Sequence, residues 1–132
     1  MIVTPLITQV MNKDFSYEFA QSWVRAWNSH DLEKILEHYS DDLTVESPLA
    51  LKLYPQSGGT VIGKNEVRKY WAIGLQKNPQ LKFELLEVLA GVNSVALYLF
   101  NTSSKKKSVE TMSFNSENKV YKTIVCFLDL DE

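Results

Sequence analysis

Residues 23–48 read WVRAWNSHDLEKILEHYSDDLTVESP and contain two helical patterns followed by a strand pattern. Aromatic residues recur every four positions from Phe15 to Trp27, with mostly polar residues between them. This spacing predicts an amphipathic helix that begins at Asp14 and buries an aromatic face. Asp31 is a typical N-cap residue, and it predicts a second, shorter helix.

The strand at the end of this stretch stops at a proline. The alternating residues 43–47, LTVES, predict a strand in which Glu46 and Ser47 point to opposite sides. Pro48 has no backbone N–H to donate, so it marks the end of the strand. The Ser-Asp-Asp sequence at 40–42 predicts a turn between the second helix and this strand.

In the rest of the chain, the spacing of apolar residues changes once, from a helical pattern to a strand pattern. Residues 49–62 contain proline, glycine and serine and predict an irregular connection. A third helix is predicted between Gly63 and Asn78, because the apolar and aromatic side chains within it share one face. From Leu81 onward, segments rich in Val, Leu, Phe, Tyr and Thr are separated by turn residues, which predicts consecutive antiparallel strands.

This order of elements predicts an α+β domain in which three helices pack on one face of a curved, mainly antiparallel sheet. We expect residues 14–132 to form this single domain, preceded by an N-terminal extension over residues 1–13. A curved sheet covered by helices forms a cone with an open end, where a pocket is expected.

The composition limits the classes of function. The chain has 132 residues and a formal net charge of −2, so we expect no nucleic-acid partner and no membrane association. Neither a secretory signal nor a run of about 20 apolar residues is present, so the expected location is the cytoplasm. The two histidines lack metal-ligand spacing, and we predict no metal and no cofactor. The only cysteine, Cys126, is expected to be a buried small apolar residue.

Three segments resemble the NTF2-like superfamily, which includes SnoaL-like domains and ketosteroid isomerase. They are residues 23–48, GKNEVRKYW at 63–71 and MSFNSENKV at 112–120. The resemblance covers nearly the whole chain beyond residue 14. It implies a cone-shaped fold, a pocket for a hydrophobic small molecule and a homodimer formed through the sheet. It implies no single activity, because this fold hosts isomerases, cyclases, hydrolases, transport factors and dimerisation modules.

The likeness to ketosteroid isomerase implies roles for individual positions. The general base of that enzyme is an aspartate immediately before the strand-ending proline, and Ser47 stands at that position here. Its protonated carboxylic acid matches Glu110. Trp23 matches its oxyanion-hole tyrosine, and Tyr39 and Trp71 match its two supporting tyrosines. Phe127 matches the aromatic wall of its pocket. A serine without an adjacent base cannot abstract a carbon-bound proton near neutral pH, so the isomerase mechanism is not expected.

Glu110 is the candidate catalytic residue. Strand alternation places Glu110 on the same face as Met112 and Phe114. Within a pocket, burial raises the pKa of a carboxyl and makes it an acid, a base or a neutral hydrogen-bond donor. The alternative is a solvent-facing glutamate paired with Lys105 or Lys122.

Two functions are open from the sequence. The first is a SnoaL-like domain that binds a hydrophobic small molecule and carries out acid–base chemistry with Glu110. Its predicted ligand contacts are Trp23, Tyr39, Ser47, Trp71, Met112 and Phe127. The second is a non-catalytic ligand carrier or dimerisation module of the same superfamily. Nothing in the predicted helices or loops indicates the peptide partner that a transport factor would require.

Overall fold

The computed structural model describes residues 11–129, which form four α-helices and a six-stranded sheet. The helices are α1 (Lys13–Ser29), α2 (Leu32–Leu36), α3 (Pro48–Leu53) and α4 (Lys64–Lys77), with a 3₁₀ helix at Pro55–Ser57. The strands are β1 (Tyr39–Glu46), β2 (Thr60–Ile62), β3 (Phe83–Ala90), β4 (Ser94–Asn101), β5 (Lys106–Phe114) and β6 (Val120–Phe127).

The strand order in the sheet is β2-β1-β6-β5-β4-β3. Strands β1 and β6 are parallel, and every other neighbouring pair is antiparallel. The helices pack against the sheet, with α1 on β3 and α4 on β1. This confirms the predicted α+β class with a mainly antiparallel sheet, although residues 11–129 contain four α-helices, whereas three were predicted.

Helix α1 begins slightly earlier than the sequence predicts. Its N-cap is Asn12, whose side chain accepts a hydrogen bond from the Phe15 N–H at 3.0 Å. Asp14 lies in the first turn, where a negative charge stabilises a helix N-terminus. The Met11 N–H donates to a carbonyl of the β3–β4 turn at 2.9 Å. The predicted domain boundary stays a prediction, because residues 1–10 lie outside the described residues.

The prediction of an irregular connection over residues 49–62 is wrong. This segment contains most of α3, the 3₁₀ helix and β2. Ser47 is the N-cap of α3, and its Oγ accepts a hydrogen bond from the Leu49 N–H at 3.1 Å. Pro48 occupies the first helical turn, where its missing N–H has no intrahelical partner to lose. The proline that ends the strand therefore also begins a helix.

Two predictions about the strands are also wrong. Residues 40–42 belong to β1 instead of forming a turn, and the register between β1 and β6 shifts between Tyr39 and Thr44 to accommodate them. Cys126 is exposed rather than buried. Both of its neighbours in the chain line the inner side of the sheet, so strand alternation turns the cysteine outward.

The core lies between α1 and the inner face of the sheet. Phe19, Trp23 and Trp27 of α1 are buried as predicted, whereas Phe15 is only half-buried. The inward side chains of β4 (Val95, Leu97 and Leu99) have no exposed surface. At the centre, Trp23 Nε1 donates a hydrogen bond to the Tyr39 hydroxyl at 2.7 Å. Both side chains are almost completely buried, so this bond joins α1 to β1 within the apolar core.

A Tyr39→Phe variant is expected to lose about 1–3 kcal/mol of stability, because it leaves the buried Trp23 indole N–H without an acceptor. Urea-induced unfolding measures the loss. Tyr17→Phe is the matched control, since Tyr17 lies on α1 but is 57% exposed. Its free energy of unfolding should change by less than about 0.5 kcal/mol. Equal stability of the two variants would contradict the role given to the hydrogen bond.

Candidate functional site

A cavity of about 100 Å³ lies between helices α3 and α4 and the inner face of the sheet. Most of its wall is apolar, with Leu53 and Trp71 on the helical side and Val125 and Phe127 on β6. Helix α1 contributes only Trp27 to the lining. The cavity therefore occupies the part of the cone that the aromatic face of α1 leaves unfilled.

Strand β5 supplies the polar residues along one side of the cavity. Lys106, Ser108 and Glu110 alternate along the strand and all line the cavity, whereas Met112 follows on the same face within the solid core. Lys106 is exposed and Ser108 is buried. At about 3.3 Å per residue, Glu110 lies roughly 13 Å along the strand from Lys106. The cavity thus leads inward from a charged end to the carboxyl of Glu110.

Glu110 is a carboxyl group for which no ion-pair partner is found in the described part of the chain. It lies between Leu97 of β4 and Val125 of β6, and within residues 11–129 no hydrogen bond or ion pair to its side chain is found. The residue is half-buried, and it lines the cavity. Burial raises the pKa of the Glu110 carboxyl from 4.5 to about 8. The group is therefore mainly neutral at pH 7 and still able to release its proton close to that pH.

Two tyrosines provide neutral hydroxyls near this carboxyl. Burial raises the pKa of Tyr70 to about 12, and the negative charge of Glu110 contributes to this rise. Burial likewise raises the pKa of Tyr39, again with a contribution from Glu110. Both hydroxyls therefore remain protonated over the pH range in which Glu110 titrates.

The structure brings together four of the seven predicted site residues. Glu110, Ser47, Trp71 and Phe127 all line the cavity. Ser47 is 4% exposed, and no histidine lies among the described residues that line the cavity, so the histidine that commonly activates a serine nucleophile is not found there.

The other three predicted residues, Trp23, Tyr39 and Met112, lie one layer behind the cavity wall. The Tyr39 hydroxyl accepts from Trp23 and lies 4.0 Å from the Met112 sulfur, and the Tyr39 ring packs on Trp71 at 5.0 Å between ring centroids. Because these contacts hold all three side chains in the core, they do not line the cavity, contrary to the sequence-based prediction. Nearby, Trp27 Nε1 and Thr123 Oγ1 are buried without a hydrogen-bond partner in the described part of the chain.

Sequence reasoning missed several cavity residues. Tyr70 lies next to Trp71 on α4, and both line the cavity. The helical pattern places both on the buried face and does not show that Tyr70 also reaches the cavity. Trp27 belongs to the same aromatic face as Trp23, but one turn further along it reaches the cavity. Leu49 and Leu53 line the cavity from α3, a helix that was not predicted.

Two kinds of site are not found in the part of the chain that the structure describes. Residues 11–129 contain no group of His, Cys, Asp and Glu that would hold a metal ion. Within the same range, no helix has the length and apolar character needed to cross a membrane. The expected cytoplasmic location remains a prediction.

The sequence profile of the SnoaL-like domain matches residues 20–116, which is most of the chain. The chain belongs to the SnoaL-like family. A solved SnoaL-like protein of unknown function from Burkholderia thailandensis E264 is 32% identical, with a TM-score of 0.85 over 90% of this chain and 98% of that chain. Among curated proteins, no sequence match is found.

More distant structures share the fold. TerC, crystallised with polyporic acid, is 16% identical with a TM-score of 0.70 over 86% of this chain and 91% of that chain. An NTF2-like protein of unknown function from Cytophaga hutchinsonii ATCC 33406 is 12% identical with a TM-score of 0.63 over 86% of this chain and 89% of that chain. These likenesses confirm the NTF2-like architecture expected from the sequence.

A Glu110→Gln variant is expected to be more stable than the wild type above neutral pH. The pKa of Glu110 rises from 4.5 unfolded to about 8 folded, so folding stability decreases as pH rises through this window and levels off above it. The variant lacks this loss. Its stability advantage should therefore grow from about pH 5 to pH 8 and reach on the order of 2 kcal/mol.

Thermal and urea unfolding at a series of pH values measure this difference. Glu117→Gln is the control, because Glu117 is exposed in the turn between β5 and β6. An advantage of Glu110→Gln that does not change with pH would show that the carboxyl is not buried in an apolar site.

Proposed function

We propose that the cavity binds a small, predominantly apolar organic molecule and that Glu110 transfers a proton to or from it. The observation that carries this proposal is a carboxyl group at the inner part of a mainly apolar cavity, with no ion pair to it found within residues 11–129. Titratable groups whose pKa is shifted by burial within a cavity are typical of acid–base sites.

The size of the cavity limits the ligand. An apolar cavity of about 150 Å³ accommodates benzene, and pockets for drug-sized ligands have volumes of about 300–1,000 Å³. The volume here is about 100 Å³. We therefore infer that the enclosed part of the ligand is at most about one ring, either as the whole ligand or as one end of a larger molecule that extends past Lys106. A four-ring steroid does not fit within the cavity.

The residue that transfers the proton is inferred from which cavity group titrates near neutral pH. Ser47 stands where ketosteroid isomerase has its base, but a serine hydroxyl does not titrate near neutral pH. Glu110, with a pKa near 8, meets the requirement that a general acid or base titrates close to the working pH. The crystal complex of TerC with polyporic acid supports the idea that this fold accommodates oxygenated organic compounds.

Gly74 offers a direct test of binding in the cavity. It lies on α4 in the cavity wall, and a Cβ added there meets only the Leu53 side chain at 3.8 Å, an ordinary contact. Gly74→Ala should therefore keep the cavity and gain up to about 1 kcal/mol of helix stability. Gly74→Leu should fill the cavity and abolish binding.

Binding is measured by ligand-observed NMR and thermal shift with one-ring probes such as toluene and phenol. We expect both probes to bind the wild type and Gly74→Ala, and neither to bind Gly74→Leu. Failure of the wild type to bind any one-ring probe would refute the proposed function, and unchanged binding by Gly74→Leu would place the site elsewhere.

A second candidate function, a dimerisation module, is favoured by the outer face of the sheet. The inward residues of β4 are completely buried, so alternation places Tyr98 and Phe100 on the outer face, where both keep part of their surface exposed. Leu86 and Tyr121 are also exposed, at 38% and 41%. Apolar surfaces of this kind on a small domain are typical of subunit interfaces. We propose that two copies pair through this face.

Light scattering at several concentrations tests the pairing. We expect a dimer for the wild type and a monomer for Tyr98→Glu, since a charge on this face opposes its burial. Tyr17→Glu, an exposed position on α1, is the control and should remain dimeric. A wild type that is monomeric at all concentrations would rule out this pairing without affecting the cavity.

A further inference from the structure

A pair of hydroxyl groups lies in the helical wall of the cavity. Ser47, at the end of β1, and Tyr70, on α4, both line the cavity and are only 4% and 3% exposed. Ser47 lies close enough to Tyr70 to lower the pKa of Tyr70, against the larger rise that burial causes, but no hydrogen bond between the two side chains is found within residues 11–129. The carboxyl of Glu110 lies on the sheet side of the same cavity, so the two walls present polar groups to one space.

The pair has more hydrogen-bond donors than its internal contacts use. Each hydroxyl carries one O–H donor and two acceptor lone pairs. The Leu49 N–H occupies an acceptor position on Ser47 Oγ, at 3.1 Å. At most one of the two O–H donors is used between Ser47 and Tyr70. Within residues 11–129 no hydrogen bond donated by either O–H is found, and a polar group in the wall of a cavity is costly unless a ligand or water accepts its proton.

We propose that the Ser47–Tyr70 hydroxyl pair donates a hydrogen bond to an oxygen atom of the ligand, so that the site selects ring compounds bearing a hydroxyl or carbonyl group. The proposal deepens the proposed function and rests on it, because it requires a ligand in the cavity. It assigns ligand recognition to Tyr70, a residue of the helical wall, in addition to Glu110 on the sheet.

The same arrangement explains why a serine at position 47 suits this site. A serine oxygen caps α3 and still leaves a hydroxyl for Tyr70. An aspartate there would place a second carboxyl in the cavity that already holds Glu110, and like charges in an apolar site disfavour each other's ionised forms. Position 47 therefore contributes a neutral donor.

The test compares two probes of the same shape, phenol and toluene, by NMR titration or calorimetry. The measured quantity is the ratio of phenol affinity to toluene affinity, because the ratio cancels changes in cavity shape. Tyr70→Phe removes the phenolic oxygen and keeps the ring. We expect it to lower the ratio about fivefold relative to the wild type, while toluene affinity stays within about twofold.

Two further variants complete the experiment. Ser47→Ala removes the other hydroxyl of the pair and should lower the same ratio about twofold, which provides a second readout if Tyr70→Phe does not fold. Tyr17→Phe removes an exposed helical hydroxyl outside the cavity and should leave the ratio unchanged.

The outcomes separate this inference from the proposed function. If both probes bind and the ratio is unchanged in Tyr70→Phe and Ser47→Ala, the hydroxyl pair does not recognise the ligand, although the cavity still binds it. If the wild type binds neither probe, the cavity is not a ligand site, and both proposals are overturned.

Discussion

The buried hydrogen bond from Trp23 to Tyr39 holds α1 against β1, and the packed core at the closed end of the cone is built around it. It connects α1 to β1 in a region without access to water, at 2.7 Å. Around it, the aromatic rings of α1, α4 and β3 pack within about 5–6 Å of one another. This layer fills the closed half of the cone and forms the rigid wall behind the cavity. The cavity begins where the aromatic face of α1 ends, at Trp27.

A rigid wall allows the half-buried carboxyl of Glu110 to lie in mainly apolar surroundings, with no ion pair to it found within residues 11–129. A flexible site would let water or the Lys106 side chain approach Glu110 and restore an ordinary pKa, whereas close packing on β4 and β6 keeps its surroundings apolar. The resulting loss of stability above neutral pH is the expected cost of a group that exchanges protons near pH 8. The fold tolerates that cost because the core around Tyr39 and β4 is fully buried.

Local periodicity was sufficient to predict much of this arrangement. The four-residue spacing on α1 predicted its buried face, and alternation on β5 predicted the face that Glu110 shares with Met112. Helix α3 was not predicted, because a helix of six residues depends on tertiary contacts, such as the burial of Ala50 and the hydrogen bond that its C-cap residue Tyr54 donates to Glu66.

The sequence also did not predict which aromatic residues line the cavity and which lie in the core behind it. Trp23 and Trp27 follow one pattern but differ in whether they reach the cavity, and Tyr70 and Trp71 are adjacent and both buried. Likeness to ketosteroid isomerase indicated that Ser47 and Glu110 lie close to the cavity, since Glu110 lies on β5 and Ser47 directly follows the last residue of β1. It did not transfer Trp23 and Tyr39, because their hydrogen bond to each other keeps them in the core.

The most direct test of this account is a titration of the Glu110 carboxyl, followed by the NMR signal of its side-chain carbonyl carbon and assigned with the Glu110→Gln variant. The account predicts a midpoint near pH 8 for Glu110, well above the ordinary value of 4.5. A midpoint close to 4.5 would mean that water or a cation reaches the carboxyl, and the acid–base role proposed for the cavity would be wrong.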